Sequence, residues 1–69
     1  MREEISNNVH TLRQEARVTQ EQFADKVGVT RQTVIAIEKG NYVPSLLLAM
    51  KISKFFKKPI EEIFKLTKR

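Results

Sequence analysis

The sequence has no cysteine, a single histidine and no long apolar run, and each absence removes a class of function. Without cysteine, the chain forms neither a disulfide nor a thiolate zinc site. His10 alone provides little for metal or acid–base chemistry, and we predict that it is a surface or partly packed side chain. No stretch approaches the roughly 20 apolar residues of a membrane-spanning helix, and the opening MREEISNN lacks the apolar run of a secretory signal. We therefore expect a soluble, cytoplasmic protein with no metal, no other cofactor and no membrane partner.

Catalytic patterns are missing as well. The sequence shows no nucleophile beside a base, no glycine loop that would cradle a phosphate, and no paired carboxylates. Glu61 and Glu62 are neighbours on a predicted helix, so their side chains diverge. The sequence predicts a binding protein and not an enzyme.

The size and charge of the chain point to its partners. Its 69 residues make one domain, and a core of that size supplies only a few kcal/mol of net stability, so oligomerisation is expected. There are 13 lysines and arginines against 8 acidic residues, a net charge of +5. This balance suits a polyanion, although many small basic domains bind none.

Residues 19–40 have the pattern of two short helices joined by a tight turn. Thr19 and Gln22 form a capping-box pattern that predicts the start of one helix, which Gly28 ends. Thr30 then caps the other helix of the pair, which runs from Arg31 to about Lys39 and is the third helix of the chain. Two caps so close together make the helices cross steeply, as in a helix-turn-helix.

Helical spacing continues on both sides of this motif. Asn7 or Asn8 can cap a first helix that runs to about Arg17, so the helices of the motif are the second and the third. A fourth helix, with Ser45 in its first turn, reaches about Phe56. A fifth follows over residues 60–64. Residues 65–68 and 4–6 are candidates for two short paired strands, which are marginal without support.

The apolar arc of the fourth helix covers more than half of its circumference, which is wider than one packed layer usually needs. A second burial partner is therefore implied, which is a reason to expect a dimer. The candidates for the dimer surface are Leu48, Ile52, Phe55, Ile60, Ile63, Phe64 and Leu66. The alternative is that all seven pack within the monomer.

The start of the third helix carries side chains that suit DNA bases. A helix fits the major groove, which is about 12 Å wide, and the fork of Arg31 matches the two acceptors of guanine. Gln32 has an amide that bonds adenine, and Ala36 is small enough for close approach. The alternative is that Arg31 and Gln32 are only solvated helix formers. Against it, an arginine in a first turn is at the unfavourable end of the helix dipole, and a phosphate or guanine would offset that cost.

The chain resembles the Cro/cI-type (XRE) helix-turn-helix regulators from about Val9 to Phe64. The residues that carry the resemblance are Gln20, Phe23, Ala24, Val27, Gly28, Val29, Thr30, Ile37, Glu38, Gly40, Pro44 and Ser45. It implies an all-α fold of five helices, to which the termini can add a short antiparallel two-stranded sheet. One departure is the run Leu46, Leu47, Leu48, where the family often has a polar residue after the first leucine, so the role of Leu47 stays open.

The resemblance also implies roles for individual residues. The positions that read bases match Arg31, Gln32 and Ala36, and an ion pair between the first and third helices matches Arg13 and Glu38. Positions that contact phosphates match Gln20, Thr30, Thr33, Lys39, Asn41 and Tyr42, and Gln20 also matches a residue that braces the recognition helix.

Proteins of this kind act as dimers on palindromic operators in double-stranded DNA, and the resemblance implies the same for this chain. It also implies a repressor that blocks a promoter. No small-molecule effector is evident from the sequence. One alternative is an antitoxin that binds a toxin protein as well as DNA. Another is a membrane-surface or general protein-interaction module that uses Lys51, Lys54, Lys57 and Lys58, although these lysines are expected to form a solvated face.

Overall fold

The structure is a computed structural model that describes residues 3–68. Five helices and two strands follow in the order β1 (Glu3–Asn7), α1 (Val9–Glu15), α2 (Gln20–Val27), α3 (Arg31–Glu38), α4 (Leu46–Phe56), α5 (Ile60–Ile63) and β2 (Phe64–Lys68). The five predicted helices and the antiparallel sheet of the chain ends are present. Because of that sheet, the fold is mainly helical, not purely α.

The central motif is built from its capping residues. The Oγ1 of Thr19 accepts from the backbone N of Gln22 at 3.0 Å, and the Oε1 of Gln22 accepts from the backbone N of Thr19 at 2.9 Å. Gly28 ends α2 in a left-handed conformation with φ 77°, which glycine adopts without a steric penalty. Thr30 then caps α3 by accepting from the backbone N of Thr33. The predicted capping box, stop and second cap are confirmed.

Helix α1 differs from its predicted start and end. Asn8 stands at the cap position but makes no side-chain bond there, while the Oδ1 of Asn7 accepts from the backbone N of Val9 at 3.0 Å. The helix ends at Glu15, two residues before the predicted end, because Arg17 turns the chain with a positive φ of 60°.

The later elements differ by single residues. Ser45 precedes α4 and caps it by accepting from the backbone N of Leu48 at 3.1 Å, so it does not lie in the first turn. Helix α5 ends at Ile63, since Phe64 already begins β2. The strands place Ile5 opposite Leu66, which gives one face of the sheet an apolar pair.

The core lies between all five helices. Val9, Phe23, Val34 and Ile37 are almost fully buried, and the ring of Phe23 packs at 5.2 Å from the rings of both Phe55 and Phe56. None of the helices within residues 3–68 is long and apolar enough to cross a membrane.

The core corrects part of the predicted dimer surface. Leu48, Ile52 and Ile63 are only 6%, 0% and 0% exposed, so they are buried in the monomer and cannot face a partner. Much of the broad apolar arc of α4 is covered by α2 and α5 of the same chain. For these three residues the alternative of packing within the monomer is correct.

Candidate nucleic-acid interface

The packing of α3 leaves its first turn at the surface. Val34 and Ile37 are buried and hold the helix against the core. Arg31 and Gln32 are exposed at the start of the helix, while Ala36, one turn after Gln32, is partly buried. The two long polar side chains are therefore accessible to a ligand that lies along the start of α3.

The residues predicted to contact phosphates flank α3 at both ends. Thr30 precedes the helix, and its hydroxyl lies 3.1 Å from that of Thr33. Lys39, Asn41 and Tyr42 follow the helix and are exposed. Since eight helical residues span roughly 12 Å, the two groups are separated by about that length.

An ion pair joins α1 to the last residue of α3. The Nε of Arg13 donates to the Oε2 of Glu38 at 2.6 Å, and the Nη2 of Arg13 donates to its Oε1 at 3.3 Å. The side chains of Arg13 and Glu38 are only 11% and 6% exposed. Arg13 also donates to the backbone carbonyl of Val18 at 2.9 Å. The pair expected from the resemblance is therefore largely shielded from solvent, where opposite charges attract more strongly than in water.

Two further side chains share the carboxylate of Glu38. The Nε2 of Gln20 donates to its Oε1 at 3.1 Å, and the Nδ1 of His10 lies 3.1 Å from the same oxygen. Burial raises the pKa of Glu38. Hydrogen bonds from Arg13, His10 and Gln20 and the charge of Arg13 lower this pKa, and together they outweigh the effect of burial. The net result is a pKa below the usual value of a glutamate, so this carboxyl group is ionised at neutral pH.

Gln20 connects this ion pair to the start of α3. Its Oε1 accepts a hydrogen bond from the Nε of Arg31 at 3.3 Å. The contact between Gln20 and Glu38 was missed by sequence reasoning, because 18 residues separate the two and no spacing links them. His10 was predicted to be either at the surface or partly packed, and its side chain is exposed. It contacts Arg13, and its position three residues before Arg13 in a helix could have indicated this contact.

A second surface is apolar and lies away from these polar groups. A groove of about 260 Å³ is lined by Ile5, Val43, Pro44, Leu46, Ala49, Ile60 and Phe64. Of these residues Leu46 is 72% exposed, and Leu66, opposite Ile5 in the sheet, is 68% exposed. Met50, one turn after Leu46, is also exposed.

This groove brings together some of the residues predicted for a dimer surface and other residues that were not predicted for it. Ile60 and Phe64 line the groove, and Leu66 adjoins it through Ile5. Phe55 does not line it, because its ring packs on Phe23 and lines a different hollow with Lys51 and Lys54. Sequence reasoning did not identify the groove that Ile5 and Leu46 share, because it joins residues of β1 and α4 that are distant in the sequence.

Comparison with known proteins identifies the family. Residues 9–63 match the model of the helix-turn-helix family. This chain belongs to the XRE-type helix-turn-helix regulators. Its resemblance to Cro/cI-type proteins is thereby confirmed, and so is a role as a transcriptional regulator with a DNA-binding helix-turn-helix.

Relatives of this XRE-type regulator occur in bacteria and archaea. It is 55% identical over 60 residues to YgzD of Bacillus subtilis, an uncharacterized HTH-type transcriptional regulator. These 60 residues cover 87% of this chain and 91% of YgzD. The same identity and coverage relate it to an uncharacterized HTH-type transcriptional regulator of Methanocaldococcus jannaschii. The transcriptional repressor RstR of cryptic phage CTXphi of Vibrio cholerae is 38% identical over 59 residues, which cover 86% of this chain and 53% of the repressor.

A solved structure shares the fold of this XRE-type regulator. The crystal structure of a protein from Bacteroides fragilis superimposes with a TM-score of 0.79 over 88% of this chain and 98% of its own. Only 16% of the residues are identical, so the similarity extends to the fold alone.

Proposed function

We propose that this XRE-type regulator is a repressor that binds a palindromic operator in double-stranded DNA as a homodimer. The observation that carries the proposal is the accessible first turn of α3, with Arg31 and Gln32 exposed between two groups of hydrogen-bond donors. A helix whose front projects from the fold in this way enters a major groove, while the donors at its ends hold the backbone.

Arg31, Gln32 and Ala36 read base edges in this proposal. The terminal nitrogens of Arg31 donate to O6 and N7 of a guanine, and the amide of Gln32 pairs with an adenine. Ala36 offers a methyl group to thymine, and its partial burial is consistent with a contact made only after close approach of the helix.

Six residues bind phosphates in this proposal and fix the position of α3 without reading sequence. Gln20, at the first position of α2, and Thr30, before α3, are near helix N-termini, where free backbone amides favour an anion. Thr33 lies in the first turn of α3, and Lys39, Asn41 and Tyr42 follow its last residue. A contact between a positively charged side chain, such as that of Lys39, and a DNA phosphate makes the affinity fall as the salt concentration rises.

The homodimer in this proposal uses the apolar groove between α4, α5 and the sheet. Several large apolar side chains are exposed in and next to this groove, and contiguous exposed apolar patches are typical of protein–protein contacts. Leu46 and Met50 replace the buried Leu48, Ile52 and Ile63 of the sequence prediction, and Ile60, Phe64 and Leu66 are retained. A two-fold axis through this surface relates two copies of α3, which reach successive major grooves when they are about 34 Å apart.

Repression by occupancy is the proposed mechanism. The dimer covers an operator that overlaps a promoter and so excludes polymerase, which requires only DNA binding. Similarity to the phage repressor RstR supports this direction of control. A protein that binds chromosomal DNA in bacteria or archaea acts in the cytoplasm, which is the location we propose.

Selection of bound sequences from a random pool of duplex DNA tests the proposal. We expect a palindrome whose half-sites are one helical turn apart, about 10 base pairs from centre to centre, with a guanine in each half. Enrichment of a single asymmetric site would contradict the two-fold dimer. A pool that remains random after repeated rounds would contradict sequence-specific binding itself.

A further inference from the structure

We infer that Glu38 is a positioning residue for base reading, which acts through Gln20 to hold the side chain of Arg31. The inference rests on the proposed function, since it assigns the way in which a base-reading side chain is prepared. It adds to the role of Glu38 in the ion pair with Arg13, which by itself concerns only the packing of α1 on α3.

The direction of the Gln20 amide is fixed by its two neighbours. A carboxylate can only accept hydrogen bonds, and a guanidinium can only donate them, whereas an amide has one end of each kind. Glu38 therefore requires the NH2 group of Gln20, at 3.1 Å, and this leaves the Oε1 of Gln20 for Arg31. The bond from the Nε of Arg31 to that oxygen, at 3.3 Å, completes the arrangement. The opposite orientation of the amide would set acceptor against acceptor and donor against donor.

The carboxylate that sets this direction is itself held in place. Arg13 contacts both of its oxygens, and the side chain of Glu38 is 6% exposed. His10 lies against the same oxygen that accepts from Gln20. Three elements, α1, α2 and α3, thus converge on one ionised group, and their packing fixes where the Gln20 amide lies.

The consequence for Arg31 is a defined choice of donors. Its Nε is occupied by Gln20, so the terminal Nη1 and Nη2 remain for the DNA. This pair donates end-on to O6 and N7 of guanine in the most common specific contact between proteins and DNA. A side chain that is held before binding loses less conformational freedom on binding, which favours the base that accepts it in that orientation.

Replacement of one atom tests the inference. In the variant Glu38→Gln, position 38 has one acceptor and one donor end, and the charged Arg13 takes the acceptor because charge-assisted bonds are the stronger ones. The new NH2 group then faces Gln20 and reverses its amide, which turns a donor towards Arg31. We expect the preference for guanine over adenine in the half-site to fall roughly fivefold or more, as it does when a bidentate contact is lost. Glu15→Gln, which removes the same charge from an exposed position, is the matched control and should retain the preference.

The double variant E38Q/Q20E separates positioning from a structural role. The carboxylate at position 20 accepts both from the amide at position 38 and from the Nε of Arg31, while the ion pair with Arg13 stays broken. We expect the preference for guanine to return towards the wild-type value, even where overall affinity falls because a carboxylate repels phosphate. A double variant that discriminates no better than Glu38→Gln would overturn the inference.

The NMR signal of the Arg31 Nε–H group in the free protein gives a readout without DNA. We expect this proton to exchange more slowly in the wild type and in the double variant than in Glu38→Gln. Gln20→Leu removes the connection and leaves the Arg13–Glu38 pair intact, so it serves if Glu38→Gln does not fold. A folded Gln20→Leu variant that keeps slow exchange at Arg31 and the preference for guanine would overturn the inference.

These outcomes distinguish the inference from the proposed function. If the wild type prefers guanine and Arg31→Ala loses that preference, the function stands, and retention of the preference by Glu38→Gln and Gln20→Leu removes only the positioning role. If the wild type binds all duplexes alike, the proposed function fails and the inference fails with it.

Discussion

The Nδ2 of Asn7 donates to the backbone carbonyl of Ile37 at 3.0 Å, across 30 residues of sequence. The other end of the same amide accepts from the backbone N of Val9. One side chain thus joins the end of β1, the start of α1 and the last turn of α3. The position of α3 depends on the sheet of the chain ends as well as on the helix-turn-helix.

Loss of this side chain should destabilise the fold. We expect Asn7→Ala to lower the free energy of unfolding by about 1–2 kcal/mol, because the first backbone N–H of α1 and the carbonyl of Ile37 each lose a hydrogen-bond partner. Asn8→Ala is the matched control, since Asn8 makes no capping bond, and should change it by less than about 0.5 kcal/mol. Chemical denaturation measures both. Equal effects of the two substitutions would show that the amide of Asn7 contributes nothing.

Acid should remove the contribution of Glu38. Its pKa in the folded protein is lowered, so the unfolded chain takes up the proton first as the pH falls. The stabilisation is complete above about pH 5, and it is lost as the pH falls below about 4.3, the usual pKa of a glutamate, towards the pKa of the folded protein. The free energy of unfolding of the wild type should therefore approach that of Glu38→Gln in this range. A difference that stays constant down to pH 3 would contradict a lowered pKa.

The revised dimer surface predicts different effects for two adjacent leucines. Leu46→Glu should convert the proposed dimer to a monomer, because it puts a charge in the lining of the apolar groove. Leu47→Glu is the control: its side chain is 66% exposed but lines another hollow, with Val27 and Tyr42. Both variants should keep their helical content, and sedimentation should distinguish them. A wild type that sediments as a monomer at micromolar concentration would count against the dimer.

A phosphate contact should weaken binding to every sequence alike. We expect Lys39→Ala to reduce affinity for the operator and for random duplex DNA by the same factor. The slope of the logarithm of affinity against that of salt concentration should fall in magnitude by about 1. Lys58→Ala removes the same charge from an exposed residue after the end of α4 that is not among the proposed DNA contacts, and should leave the slope nearly unchanged. Loss of affinity confined to the operator would move Lys39 from the backbone to the bases.

Local signals predicted the elements of the motif correctly. The capping box of Thr19 and Gln22 and the left-handed Gly28 act within one turn of helix, so neighbouring residues suffice to identify them. The end of α1 was predicted too late, because the left-handed turn at Arg17 has no glycine to indicate it.

Contacts between distant elements were harder to predict. Ile52 and Leu46 are both apolar residues of α4, yet one is buried and the other 72% exposed, and only the positions of α2 and α5 decide between them. The same holds for Gln20 and Glu38, whose contact exists because the helix-turn-helix brings the start of α2 beside the end of α3.

Affinity for two duplexes that differ only in the guanine of each half-site tests the central claim most directly. Measured at one salt concentration, the wild type should prefer the selected operator by roughly fivefold or more per half-site, and Arg31→Ala should bind both duplexes equally. Equal affinity of the wild type for the two, or a preference that Arg31→Ala retains, would contradict base reading by the start of α3.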